Sequence, residues 1–197
     1  QIGCQSSTRG IIAGGSSNIT TIQFITLMSG GNAIDFGDTT VGRNNMGSNG
    51  ISSATRGMWG GGASPSVQQS IDYITIPTLG NAIDFGDMGN ALSALSCVDN
   101  SVRGVFTGGA NPSGTEQNHM TYVEIATTGN ATDFGDSTFS GSYSFATSSS
   151  TRALSFQGSG NIIEYVEILT TGNAVDFGDC NPNQDYTSAC SNAHGGL

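Results

Sequence analysis

Hydrophobic and polar residues alternate along this chain in short runs, and the same order of runs recurs four times. Residues 71–76, for example, read Ile-Asp-Tyr-Ile-Thr-Ile, and residues 163–168 read Ile-Glu-Tyr-Val-Glu-Ile. Alternation of β-branched and aromatic residues with polar ones predicts short β-strands. No stretch has the sustained 3.6-residue period of a helix. The pattern therefore predicts an all-β protein.

The recurrence is marked by the string Gly-Asn-Ala-x-Asp-Phe-Gly-Asp, which occupies residues 31–38, 80–87, 129–136 and 172–179. Each copy belongs to a unit with four predicted strands: an Arg-Gly segment, the alternating run, the Asp motif and a weaker Ser-rich segment. Units of roughly 40–50 residues with four strands are typical of propeller blades. We therefore predict one β-propeller domain over 1–197, made of about four kelch-like four-stranded blades. Its units are approximately 9–55, 56–102, 103–151 and 152–197, and they could belong to a larger propeller or array.

Charge narrows the possible functions. The net charge is −10, and all five basic residues are Arg, so the chain has no Lys. The absence of Lys excludes enzymes that depend on a catalytic or phosphate-binding Lys. The acidic net charge argues against nucleic acid as a partner. No apolar run is long enough for a membrane-spanning helix, so we expect no membrane insertion.

The repeated charged residues have a structural and a functional interpretation. We expect each motif Asp to cap a tight turn, and each repeat Arg to form a bidentate pair with an Asp of its own or the next blade. The alternative is calcium bound by the Asp pairs, although the motif lacks the spacing of known calcium loops. We expect no other metal, cofactor or catalytic residue. The repeat arginines are Arg9, Arg56, Arg103 and Arg152, and the repeat acids are Asp35, Asp38, Asp84, Asp87, Asp133, Asp136, Asp176 and Asp179.

A few residues that do not repeat are further candidates. A Cys180–Cys190 disulfide could clamp the last unit, with a Cys4–Cys190 bridge or free thiols as alternatives. Trp59 is expected to pack in the core or near the axis, but an exposed indole there could stack on a sugar. His119 lies in a polar insertion and is expected to be an exposed loop residue.

The repeated string Ser-Thr-Arg-Gly-x-x-x-Gly-Gly, the alternating run and the Asp-Phe-Gly-Asp block resemble the kelch-like propeller repeats of virion structural proteins in marine tailed phages, cyanophages among them. Residues 35–39 also resemble the Asp-box turn of sialidase propellers, which is structural. The phage resemblance implies a non-enzymatic tail fibre, capsid appendage or adhesin on the virion surface. Such a module would bind other virion proteins or host-surface glycans, and it could form homo-oligomers.

Two other functions remain open at this point. One is a secreted bacterial adhesin, which would be extracellular. The other is a propeller glycosidase or sialidase-like hydrolase, which would require non-repeated acids and Arg to converge at the axis. The candidates for such a site are Arg43, Asp72, Asp99, Glu116, Glu124, Glu164, Glu167 and Asp185.

Overall fold

A computed structural model describes residues 1–47, 49–185 and 189 of the chain. Sixteen strands in this part form four antiparallel sheets, which we number as blades in chain order. Blade 1 contains β1 (Ile2–Gln5), β2 (Arg9–Ala13), β3 (Thr21–Thr26) and β4 (Ile34–Asp38). Blade 2 contains β5 (Ile51–Ser52), β6 (Arg56–Gly60), β7 (Ser70–Thr75) and β8 (Ile83–Asp87). Blade 3 contains β9 (Ser96–Asp99), β10 (Arg103–Thr107), β11 (His119–Glu124) and β12 (Thr132–Asp136). Blade 4 contains β13 (Phe145–Ser148), β14 (Arg152–Phe156), β15 (Ser159–Glu167) and β16 (Val175–Asp185).

The prediction of an all-β propeller built of four-stranded blades is confirmed. Each sheet runs through its four strands in chain order, which is the simplest antiparallel meander. A single 3₁₀ turn, Ser16–Asn18, interrupts the strands of the described residues. No helix in the described part of the chain is long and apolar enough to cross a membrane.

The sheets are shifted by one strand relative to the sequence units 9–55, 56–102, 103–151 and 152–197. The Ser-rich strand that closes each sequence unit pairs with the Arg-Gly strand that follows it, as in the register Ile51↔Met58 between β5 and β6. The three-residue turn 53–55 joins these two strands directly, whereas the connection 39–50 separates β5 from β4. The short turn therefore determines which sheet the Ser-rich strand joins.

The hydrophobic core lies between the blades. One cluster joins Ile11 and Phe24 of blade 1 to Trp59, Ile74 and Ile76 of blade 2. Equivalent clusters lie between blades 2 and 3 and between blades 3 and 4. Fully burying one such side chain stabilises the fold by about 1.5–3 kcal/mol. Each blade thus obtains its core from a neighbour, because a single sheet cannot bury both of its faces.

Every blade also contains an edge-to-face aromatic pair between its third and fourth strands, with ring centroids 5.8–6.2 Å apart. The Phe of the Asp motif supplies one ring. The alternating run supplies the other, which is Phe24 in blade 1 and a Tyr in the other three blades. The pairs are Phe24–Phe36, Tyr73–Phe85, Tyr122–Phe134 and Tyr165–Phe177.

The Asp motif forms the outer edge of each blade, and its Asn and Gly residues join that edge to the preceding blade. Between blades 1 and 2, the Gly80 amide donates to the Phe36 carbonyl (2.9 Å) and the Ala82 amide donates to the Asp38 carbonyl (2.7 Å). The Asp38 amide in turn donates to Asn81 Oδ1 (3.0 Å). The same three bonds recur at the next two junctions.

The prediction that the motif Asp residues cap tight turns is therefore wrong. They lie within the outermost strands, and in the first three blades the backbone of the second Asp bonds to the next blade. Strand pairing occupies the local backbone donors that a turn-capping carboxylate would need. The Asn of the motif supplies the side-chain acceptor instead.

The repeat Arg pairs differently from the prediction as well. Its guanidinium donates to a backbone carbonyl of the next blade: Arg9 to Ile76 (2.6 Å), Arg56 to Ile125 (2.7 Å) and Arg103 to Ile168 (3.2 Å). Each of these Arg side chains also lies over an aromatic ring of its own blade, 4.1–4.7 Å from the ring centroid. No described Asp is an ion-pair partner of a repeat Arg, because the motif Asp lies at the outer edge while the Arg points into the blade junction.

Candidate functional site

The two ends of the propeller differ in how closely they repeat. At one end, which we call the turn end, the hairpins are always three and seven residues long, for example 53–55 and 76–82. At the opposite end, the loop end, the hairpins 14–20, 61–69, 108–118 and 157–158 contain 7, 9, 11 and 2 residues. The blade connections 39–50, 88–95 and 137–144 lie at this end too. The differences in hairpin length between blades are therefore concentrated at the loop end.

The loop end is polar but nearly uncharged. Its loops are rich in Ser, Asn, Gln, Thr and Gly, and they contain two charged residues, Arg43 and Glu116. Arg43 is fully buried, and Glu116 accepts bonds from the amide and hydroxyl of Ser142. The accessible groups of these loops are therefore mainly amides, hydroxyls and backbone groups, together with the exposed Glu116 carboxylate. Such a surface suits a neutral, hydroxyl-rich ligand better than a charged one.

Three residues link the blade connections around the axis at the loop end. The Ala94 amide donates to the Asn45 carbonyl (2.7 Å), and the Tyr143 amide donates to the Ala94 carbonyl (2.8 Å). All three have left-handed backbone conformations, with φ of 47°, 54° and 55°. Such a conformation is uncommon for a residue other than Gly, and least expected for a bulky one. Strain of this kind at equivalent positions is a structural pointer to a functional rim.

Tyr143 is the largest side chain of this rim and is 44% exposed. Its ring lies among the polar loops, where an aromatic face can stack on the apolar face of a sugar. Sequence reasoning missed this residue because it interrupts no motif and follows a Ser-rich segment. The spacing of 49 residues between Asn45, Ala94 and Tyr143 is the signal that could have found it.

A cavity of about 410 Å³ lies along the axis, lined mainly by the first strands of the four blades. Pairing with the second strands places Gln5, Ser52, Asp99 and Ser148 at one equivalent register position, opposite residues 10, 57, 104 and 153. The repeat thus places four polar side chains, of three residue types, around the axis. The hydrophobic residues Ile12, Ile25 and Leu27 of blade 1 line the cavity as well.

Asp99 holds the inner strands together within this cavity. Its carboxylate accepts bonds from the amides of Ser52 (2.8 Å) and Ser101 (3.2 Å), and its carbonyl accepts one from the Ser148 hydroxyl (2.7 Å). One carboxylate therefore connects blades 2 and 3, and its backbone connects blade 3 to blade 4. The side chain is 6% exposed.

The described cysteines are free thiols. Burial, together with a smaller contribution from the negative charge of Asp99, raises the pKa of the Cys4 thiol to about 12. Burial, again with a contribution from Asp99, raises the pKa of the Cys97 thiol. Both thiols are protonated at neutral pH and are poor nucleophiles. Cys180 is free and half-buried, while Cys190, the proposed partner of Cys180 or Cys4, lies outside the described residues.

Trp59 lies in the core between blades 1 and 2 and has no exposed surface. The expectation of core packing holds, and the alternative, an indole that stacks on a sugar, is wrong for this structure. Trp59 is buried because β6 is an inner strand of blade 2 whose face is covered by blade 1. His119 is exposed at the start of β11, and its Nδ1 lies 3.3 Å from Asp136 Oδ1.

The candidate calcium ligands do not gather into a site. In the part of the chain that the structure describes, no group of three or more His, Cys, Asp or Glu side chains is placed to hold a metal ion. The Asp residues of successive motifs lie on the outer edges of different blades, where the closest side-chain contacts are ordinary hydrogen bonds such as Thr20 Oγ1 to Asp38 Oδ1 (2.8 Å).

The non-repeated acids do not converge either. Asp72 and Glu164 are buried at 0% and 1% exposure, and each accepts bonds from the connection that precedes its blade. Glu124 and Glu167 pair with Arg103 and Arg152. Asp99 alone of the described candidates lines the axial cavity. The side chain of Asp185 lies outside the description.

Arg43 and Asp72 form a buried ion pair, with 2.9 Å between Arg43 Nη2 and Asp72 Oδ1. Arg43 Nη1 also donates to the carbonyls of Gly61 and Ser70, at 3.0 Å each. The Asp72 carboxylate accepts hydrogen bonds from the amide and the hydroxyl of Thr40, at 3.1 and 2.7 Å. This cluster anchors the connection 39–50 and the hairpin loop 61–69 to blade 2.

Comparison with known proteins supports the fold. No family model and no curated protein matches the sequence. Among solved structures, the chain is similar to YjhT, a kelch-type propeller, with a TM-score of 0.77 and 8% sequence identity. The match covers 92% of this chain and 65% of that chain, so this chain spans less than two thirds of that neighbour's length. This likeness establishes the class of protein as a β-propeller.

Proposed function

We propose that this chain is a non-enzymatic attachment module of a phage virion, part of a tail fibre, capsid appendage or adhesin, and that its loop end binds neutral surface glycans. The observation that carries the proposal is the concentration of variable, polar and nearly uncharged loops at one end of an otherwise repetitive scaffold. Rigid scaffolds that vary at one set of loops are typical of binding proteins.

The charged residues support a binding role over a hydrolytic one. The repeat arginines of blades 1 to 3 donate to carbonyls of the next blade, and Asp72 and Glu164 hold blade connections. Glycoside hydrolysis requires two carboxylates that face one glycosidic bond. The acids that could serve are instead distributed among three blades, where they stabilise the fold.

The rim residue Tyr143 is the aromatic group best placed to contact a sugar, together with the amides and hydroxyls of loops 61–69 and 108–118. Stacking on an exposed ring combined with hydrogen bonds from uncharged side chains is a common mode of carbohydrate recognition. Because loop-end charge is low, we expect binding that varies little with salt concentration.

A glycan array tests this proposal directly. The chain is expected to bind a subset of neutral glycans, and Tyr143→Ala is expected to weaken that binding by about tenfold or more. Val102→Ala at the turn end, where Val102 is 59% exposed, is the matched control and should leave binding unchanged. A chain that binds no neutral glycan, or that hydrolyses aryl glycosides, would contradict the proposal. Detection of the protein in purified virions by mass spectrometry and immuno-electron microscopy tests the virion assignment.

A further inference from the structure

Blade 1 has one hydrophobic face that no other described blade covers. On this face Ile25 is 37% exposed and Leu27 is 46% exposed. Their counterparts in blade 2, Ile74 and Ile76, are buried at 2% and 1% because blade 1 covers them. In blades 3 and 4 the same positions are buried as well. We call this surface the open face of blade 1.

Blade 4 has the opposite kind of open face. Phe177 is 54% exposed, whereas the Phe of the motif in the first three blades is 2–3% exposed. Phe177 forms the same edge-to-face pair with Tyr165 that the other blades form, and the Arg152 guanidinium lies over Tyr165 at 4.4 Å. The surface is therefore organised as in the covered blades, and it lacks a described blade to cover it. We call it the open face of blade 4.

The polar groups of the two open faces are complementary. At each internal junction, one motif bonds to the backbone of the preceding blade. Its Gly and Ala amides donate to the Phe and Asp carbonyls, and its Asn side chain accepts a bond from the Asp amide. On blade 1 these groups belong to residues 31–33, and on blade 4 the matching groups belong to Phe177 and Asp179. Within the described residues neither set has the blade partner that its equivalents have.

Two further positions match in the same way. The repeat arginines of blades 1 to 3 each donate to a backbone carbonyl of the next blade. In blade 1, the carbonyl at this repeat position belongs to Leu27, on the open face. Arg152 is the corresponding donor on blade 4, where it pairs with Glu167. A Cβ at Gly37 would lie 2.5 Å from the Gly80 carbonyl oxygen, whereas at Gly178 no described atom lies within 4 Å. Gly178 thus leaves the space that a Gly carbonyl occupies at the other junctions.

We propose that the open face of blade 4 in one copy of this chain packs on the open face of blade 1 in a second copy. Each copy carries both halves of the junction that already joins its own blades, so the second copy needs no surface beyond those described. The contact is heterologous, which means that it closes into a ring or grows into a chain. Two copies joined at both faces contain eight blades, within the usual propeller range of four to eight. The occupant we assign is therefore a second copy in a head-to-tail dimer.

The oligomeric state of the purified chain tests this assignment. Light scattering at micromolar concentration is expected to give about twice the chain mass of 20.1 kDa. Leu27→Arg and Phe177→Arg, each alone, should raise the dimer dissociation constant by about tenfold or more, because each places a charge at the centre of the junction. A wild-type chain that is monomeric would overturn the proposal. This holds if its two open faces close on each other, and equally if other proteins cover them.

Mixing the two variants distinguishes a head-to-tail contact from a symmetric one. The Leu27→Arg copy retains an intact blade 4 face and the Phe177→Arg copy retains an intact blade 1 face, so the mixture should form a heterodimer through one intact junction. A mixture that stays monomeric, or a dimer that Phe177→Arg leaves unaffected, would overturn the head-to-tail arrangement. Leu79→Arg is the control, since Leu79 is 59% exposed at the turn end.

A smaller substitution keeps the test independent of folding. Gly178→Ala introduces a Cβ where the Gly31 carbonyl of the second copy would lie, and Gly80→Ala introduces one at nearly the same φ with no described atom within 4 Å. We expect Gly178→Ala to weaken dimerisation by about tenfold, and Gly80→Ala to leave it unchanged. Equal dimerisation of the two variants would refute the proposed packing. Urea unfolding monitored by Trp59 fluorescence verifies that both variants are folded.

Discussion

The buried pair of Arg43 and Asp72 offers a sharp test of how the loop end is held in place. Arg43→Met removes the cation but keeps most of the side-chain volume, so the Asp72 carboxylate is left buried with only Thr40 as a hydrogen-bond donor. Removing one partner of a buried ion pair typically costs about 3–5 kcal/mol. The Gly61 carbonyl also loses the donor that Arg43 supplies, and the Ser70 carbonyl keeps only the Gly61 amide (3.2 Å), which favours the upper part of that range.

The double variant Arg43→Met/Asp72→Leu is expected to cost about as much as one single variant, since it leaves no uncompensated charge. Urea unfolding followed by the fluorescence of Trp59, the only Trp of the chain, measures each free energy of unfolding. Glu167→Gln is the control: both partners of the Arg152–Glu167 pair are nearly half exposed, and such pairs contribute about 0–1 kcal/mol. Additive single effects, or a cost for Arg43→Met no larger than for the control, would refute this reasoning.

Three further outcomes follow from the blade junctions and the thiols. Gly37→Ala should lower the free energy of unfolding in urea by about 1–3 kcal/mol more than Gly80→Ala does. The two residues share φ near 148°, but only a Cβ at Gly37 would lie 2.5 Å from a backbone carbonyl oxygen. Equal losses would contradict this close approach. Asn130→Ala should lower the free energy of unfolding by about 1 kcal/mol by removing the acceptor of the Asp87 amide; an unchanged free energy of unfolding would argue against the assigned bond. The free energy of unfolding should fall as pH rises from 9 towards 12, because Cys4 stays protonated in the folded chain while its unfolded thiol ionises; a pH profile unchanged by Cys4→Ala would disprove this contribution.

The repeat allowed the blade architecture to be predicted from sequence alone. Strand alternation, the Gly-Gly turns and the fourfold Asp motif were sufficient for a propeller of four-stranded blades, because local pattern and global fold agree in a repeat protein. The phase of the sheets was not predictable from the repeat, since a periodic sequence has no natural starting strand. The three-residue turn before each Arg-Gly strand sets that phase in the structure.

The roles of the motif residues were harder to infer because they depend on contacts between blades. Asp38 and Asn81 meet across a junction 43 residues apart in sequence. Local reasoning therefore assigned the hydrogen bonding to the Asp and left the Asn unassigned. For the candidate site, the sequence offers Trp59 as a sugar contact only as the alternative to core packing. The structure covers its strand on that face, and the exposed aromatic of the rim is Tyr143.

The polar part of each junction between blades uses backbone amides and carbonyls, one Asn, one Gly and one Arg, and these repeated groups are the same whichever blade precedes or follows. A gene segment that encodes one unit of about 49 residues could therefore be duplicated or deleted in frame, and the new neighbours would meet through the same bonds. Selection could then change the loops of a single blade without disturbing the next one. Such a scaffold lets binding specificity diverge rapidly, through recombination between copies as well as through point mutation.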